Sequence, residues 1–148
     1  MKVIDKGTII NGKKDTGQQS CCFPGICVLP SNRWICGFRA APTKKGTAGQ
    51  KALITYSDDE GKTWSAPIDS FVPPSVDGKP GLFRGVGLTA LGGERVLATL
   101  CWVEHSDPSG LPTTALLHNG DILVVYYAGS CSDLTDIQWC RIREMNYE

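Results

Sequence analysis

Residues 57 to 64 read Ser-Asp-Asp-Glu-Gly-Lys-Thr-Trp, and each has a place in a tight turn between two strands. Asp59 can accept hydrogen bonds from backbone N–H groups of its own turn, and Gly61 supplies a position of positive φ at no steric cost. Ser57 and Thr63 add hydroxyl bonds. Trp64 lays a large apolar ring back over the turn, with its N–H available to an acceptor. The five residues are therefore structural: they fix how two strands join and leave the chemistry to other positions.

The rest of the chain is consistent with strands. No segment sustains a 3.6-residue period for three turns, whereas short β-rich runs alternate with Gly, Pro, Asn and Asp. Strands are expected near 3 to 10, 22 to 29, 34 to 40, 51 to 57, 65 to 72, 83 to 91, 95 to 104, 113 to 117, 122 to 128 and 136 to 143, with no helix. Three hairpins repeat one recipe of apolar strand, tight turn and apolar strand. The first joins Ile26–Leu29 to Arg33–Cys36, the second turns at Gly92-Gly93 and the third at Asn119-Gly120.

Composition narrows the function classes. With 41% apolar and 20% charged residues in 148, the chain can bury one ordinary core. Fifteen basic and fifteen acidic side chains cancel and nowhere segregate by sign, so no nucleic-acid partner is expected. The longest apolar runs, 96 to 103 and 122 to 127, fall far short of the ~20 residues that cross a bilayer, so no membrane partner is expected either. The charged start Met1-Lys2-Val3-Ile4-Asp5-Lys6 leaves no room for a secretory h-region, which points to a cytoplasmic chain. Seven cysteines, an odd number without a Cys-x-x-Cys pair, read as small core hydrophobes. Cys101 and His105 would need Cys131 or Cys140 close by to hold a metal, so no metal and no cofactor are expected.

The octapeptide fills every fixed position of Ser-x-Asp-x-Gly-x-Thr-Trp, the Asp-box. Together with Phe23-Pro24 and the first hairpin, Leu82-Phe83-Arg84-Gly85, Val125-Tyr126-Tyr127-Ala128-Gly129 and Asp136-Ile137-Gln138-Trp139, it resembles the sialidase-like, or BNR-repeat, six-bladed β-propeller family. The resemblance implies an all-β partial β-propeller of about two to three blades of four-stranded antiparallel sheet. A blade takes about 40 to 50 residues. From Asn32 to Gly92 is 60 residues, room for one blade, but from Gly92 to Asn119 is only 27. The chain thus resembles a single propeller fragment, about 1–111 forming the first blade and a half and about 112–148 the last blade, with the middle gone. A propeller normally has at least four blades, so a homo-oligomer is expected to complete the ring. Residues 2 to 10 would supply the outer strand of the last blade, in the same chain or a neighbour's.

In such a blade the Asp-box lies away from the binding face, and loops 40 to 50, 73 to 82, 104 to 112 and 128 to 135 line that face. The family cleaves sialosides with a Tyr nucleophile paired to a Glu, an Asp acid/base and three arginines on the substrate carboxylate, for which a planar bidentate guanidinium is well shaped. This chain departs at each matching position. The Arg-Ile-Pro that opens the first blade reads Cys22-Phe23-Pro24, the acid/base loop reads Lys44 to Gln50 without a carboxylate, and Pro112-Thr113-Thr114 stands where the tyrosine would precede the last hairpin. No catalytic residue is assigned. Candidate substrate contacts are Arg39, Arg84, Glu104, Asp107 and Tyr127, with Trp102 as a stacking surface. The bland alternative makes Arg39 and Arg84 ion-pair residues and the segment from 104 to 107 a solvated loop.

The expectation from sequence is a truncated sialidase-like propeller of glycan-handling ancestry with little or no hydrolase activity. The alternatives are an exo-α-sialidase or related glycoside hydrolase whose site is completed across subunits, and an oligomeric sugar-binding lectin. Its expected partners are a carbohydrate, such as sialic acid or a related sugar, and further copies of itself.

Overall fold

A computed structural model describes residues 2–13, 17–45, 48–104, 112–131 and 134–143, and the side chains of these except 126–131, 134 and 135. The described residues form nine strands and no helix, in three antiparallel sheets. Sheet 1 holds β1 (Ser20–Val28), β2 (Trp34–Ala41) and β3 (Lys51–Ser57) in that order. Sheet 2 orders β4 (Ser75–Val76), β5 (Lys79–Ala90) and β6 (Val96–Glu104), and sheet 3 orders β7 (Thr113–Leu116), β8 (Ile122–Cys131) and β9 (Leu134–Ile142).

Each sheet has three strands where four-stranded sheets were expected, and the reasons are local. The segment expected as a strand over 65 to 72 runs beside β3 but makes one bridge, Ile54 to Ile68. Ser65 N–H still reaches the Tyr56 carbonyl at 2.8 Å, and Pro67 between them has no N–H to continue the pairing. Residues 3 to 10, expected as a strand, pair with no described edge and instead lie across sheet 1. One element was not anticipated: β4 turns into β5 through Asp77 and Gly78, both at positive φ (51° and 74°), the pair of angles a two-residue hairpin turn requires.

The three expected hairpins close with the same bonds. Leu29, Leu91 and Leu117 donate their N–H groups to the carbonyls of Arg33, Arg95 and Asp121 at 2.9, 3.0 and 2.8 Å. Aligned on these leucines, Ile26, Leu88 and Thr114 are counterparts, as are Gly25, Gly87 and Thr113. Leu88 and Thr114 of the first set face the preceding sheet, and Gly25 and Gly87 of the second face the following one. Leu88 and Val86 of β5 lie against Gly37 of β2, Thr89 meets Thr114, and Gly87 lies beside the Pro112 carbonyl. A Cβ at Gly37 would stand 2.6 Å from Val86 Cγ1, and one at Gly25 would stand 2.3 Å from the Val86 carbonyl oxygen. The two glycines make the notch through which sheets 1 and 2 approach.

The main apolar cluster lies on the other face of sheet 1: Cys36, Phe38, Ala40 and Leu53, covered by Ile9, Ile10, Cys21 and Trp64. Fully burying a Leu or Phe side chain contributes about 1.5–3 kcal/mol, so residues 9 and 10 serve as the lid on that cluster in place of another sheet. No helix among the described residues is long and apolar enough to cross a membrane.

Candidate functional site

At one end of the molecule the Asp-box turn is held as its residue types dictate. Asp59 Oδ1 accepts the Thr63 N–H at 2.9 Å and the Ser57 hydroxyl at 2.8 Å, and Oδ2 accepts the Thr63 hydroxyl at 2.7 Å. These bonds, the Thr63 N–H first, hold the Asp59 carboxyl down at about 2. The Gly61 N–H donates to Ser57 Oγ at 2.8 Å, and Trp64 Nε1 donates to the Gly61 carbonyl at 3.2 Å. Gly61 sits at φ 83° with the Trp34 ring against its α-carbon, which excludes any side chain there on two grounds. The same end gathers the other turns: Ser31 Oγ donates to Glu94 at 2.8 Å and Arg33 grips Asp58 with two bonds of 2.6 and 2.9 Å.

The opposite end holds the candidate substrate contacts. Arg39, near the end of β2, is only 2% exposed. Its Nε donates to Gln50 Oε1 at 2.8 Å and its terminal nitrogens to Cys22 Sγ at 3.3 Å, the Lys44 carbonyl at 3.3 Å and the Thr43 carbonyl at 3.4 Å. Gln50 passes the connection on, donating from Nε2 to the Phe83 carbonyl of sheet 2 at 3.0 Å. Arg39 therefore ties the loop after β2 to β1 and, through Gln50, to β5. A substrate carboxylate would have to displace those acceptors to reach it.

Arg84 lies next to Phe83, in the β5 bulge between Phe83 and Val86. Glu104 ends β6 opposite Gly81 and pairs with Lys79 at 3.1 Å, an exposed ion pair. Trp102 donates from Nε1 to the Pro74 carbonyl at 2.8 Å and packs on Gly81, so its ring is engaged by its own sheet and loop. Phe71 adds an edge contact to Phe83, ring centres 6.4 Å apart. Asp107 and His105 lie outside the described residues, as does the Tyr127 side chain; the Tyr127 backbone pairs with Ile137 in β8 and β9. The structure thus brings Arg39, Arg84 and Glu104 to one end of sheets 1 and 2.

Between the inner strands β1, β5 and β7 runs a cavity of about 260 Å³, lined by Pro24, Gly25, Val86, Gly87, Pro112 and Thr113 among others. Phe23, Ile26 and Leu88 also line it, and its walls carry no ionisable group. Among the described residues no buried side-chain N or O lacks a partner, and no group of three His, Cys, Asp or Glu is placed to hold a metal. The polar residues that the sequence did not single out act between elements: Gln50 beneath Arg39, and Asp121, which accepts two bonds from Arg143 at 2.5 and 2.9 Å.

No protein-family model, no curated protein and no solved structure matches this chain. Its function is therefore argued from the Asp-box turn, the order in which the sheets pack and the state of the candidate contacts.

Proposed function

We propose that the chain is an internally shortened sialidase-like propeller module that keeps a glycan-handling scaffold without the hydrolytic chemistry. The Asp-box supports the family reading, since all of its fixed residues make the bonds that the motif needs. The packing of inner strands β5 on β1 and β7 on β5 supports a partial propeller, in which neighbouring sheets turn about a shared axis. The observation that carries the loss of chemistry is Arg39. The most enclosed of the candidate substrate arginines is spent on Gln50, Cys22 and two loop carbonyls, and Glu104 is paired to Lys79.

Incubation of the purified chain with a fluorogenic sialoside tests this reading. Release of the fluorophore no faster than in a protein-free control, for wild type and for Arg84→Ala and Glu104→Gln alike, is the expected outcome. Turnover by the wild type that disappears in either variant would overturn it in favour of a hydrolase.

A further inference from the structure

The packing of the sheets follows a rule that leaves one face open at each end of the chain. Ile26, counterpart of Leu88 and Thr114, meets no preceding sheet among the described residues. It is 55% exposed and Val28 on the same face is 50% exposed. Beside Ile26 lies a cavity of about 600 Å³, walled by Trp34, Trp64, Glu60, Gly61, Lys62 and residues 5 to 9. At the other end Thr113, counterpart of Gly25 and Gly87, is exposed, and no sheet follows it among the described residues. Thr113 pairs with Val125 and Val125 with Trp139, so all three share a face, which continues along β9 to Ile137. Trp139 is 69% exposed and Ile137 76%.

We propose that these two faces bind each other between copies: Ile137 and Trp139 of one chain dock in the cavity lined by Ile26, Trp34 and Trp64 of a second. The choice of a second copy follows from continuity with the contacts already inside the chain. Each internal sheet-to-sheet step sets the face of Ile26's counterpart on the face of Gly25's counterpart, and the two free faces are the remaining members of that pair. A cavity of that volume accommodates an indole, and Ile9, Ile26, Trp34 and Trp64 give it an apolar wall among the charged Asp5, Lys6, Glu60 and Lys62. The contact is head-to-tail, so repeated copies form a ring if the rotation closes and a filament if it does not. The inference rests on the sheet stacking of the propeller reading and not on its glycan ancestry, so the sialoside assay leaves it untouched.

The test mixes two variants. Ile137→Ser/Trp139→Ala removes the protruding side chains, and Ile26→Arg places a charge in the cavity; all three positions are exposed, and thermal melts verify that the variants fold. Ala115→Arg, exposed on the same face of β7, is a second variant for the first surface. In light scattering coupled to size exclusion, wild type is expected at a multiple of the chain mass and each variant alone at the mass of one chain. An equimolar mixture is expected at the mass of two, because one intact surface of each kind remains. Wild type at the mass of one chain, variants that keep the wild-type mass, or a mixture that does not associate would each overturn the proposal.

Discussion

Asp59 shows how much a single carboxylate does in an exposed turn. It terminates three bonds from two neighbours and is held at about 2 against an ordinary 3.8. A depressed carboxylate stabilises the fold above its unfolded value, and that stabilisation is lost as pH falls from 3.8 towards 2. Asp58, beside Arg33, and Asp121, beside Arg143, are lowered as well and act in the same direction. Urea midpoints measured across this range should fall with acid in the wild type and fall less in Asp59→Asn, which starts from a lower plateau. An identical acid limb in that variant would contradict the assignment. The turn was legible in the sequence because every one of its bonds closes within eight residues. Arg39 was not, because Cys22, the loop carbonyls and Gln50 reach it from separate stretches of chain, and Gln50 is held in turn by the Phe83 carbonyl. Its sequence neighbours gave only a cation at the end of a strand.

The elements repeat more closely than their sequences do. Beyond the leucine turns, the ion pair Arg33–Asp58 of sheet 1 has its counterpart in Asp121–Arg143 of sheet 3 with the charges exchanged, each joining the turn to the end of the third strand through two bonds. Single reversals, Arg33→Asp or Asp58→Arg, should lower the melting temperature, and the double reversal should recover most of the loss because sheet 3 already carries that order. A double variant no better than the singles would deny the equivalence. At the notch between sheets 1 and 2, Gly37→Val forces atoms into Val86 and should cost on the order of 1–3 kcal/mol in chemical unfolding; an unchanged midpoint would mean that the sheets do not meet there. The hairpins could be read from sequence since apolar alternation and turn residues are local signals. The Asp77-Gly78 turn is an equally local signal, but its strand β4 has only two residues and offers no alternation to accompany it. The strand expected over 3 to 10 failed for a different reason, since periodicity reports that a segment could pair, not that an edge is available to it; the one over 65 to 72 met the edge of β3 but carries Pro67, which has no N–H to extend the pairing.

For the molecule as a whole, the missing strands are more informative than those present. Among the described residues sheet 2 has β6 on an edge with no strand beyond it, where sheets 1 and 3 carry β3 and β9. The interval between the second and third hairpins is too short to supply one, which was visible in the spacing alone. The consequences for packing were not: which side chains each free face presents depends on register, and one residue of slip would send Trp139 to the other face. Residues 9 and 10 lie where a preceding sheet would cover the Phe38 cluster, while Ile26 stays open. A chain built in this way holds two unmatched surfaces that a second copy can satisfy. The measurement that bears most directly on this account is the solution mass of the unmodified chain, by light scattering, over a range of concentrations. The account predicts species of two or more chains, at one discrete mass if the ring closes and at masses that grow with concentration if it does not. A cooperatively melting species at the mass of a single chain throughout that range would contradict it.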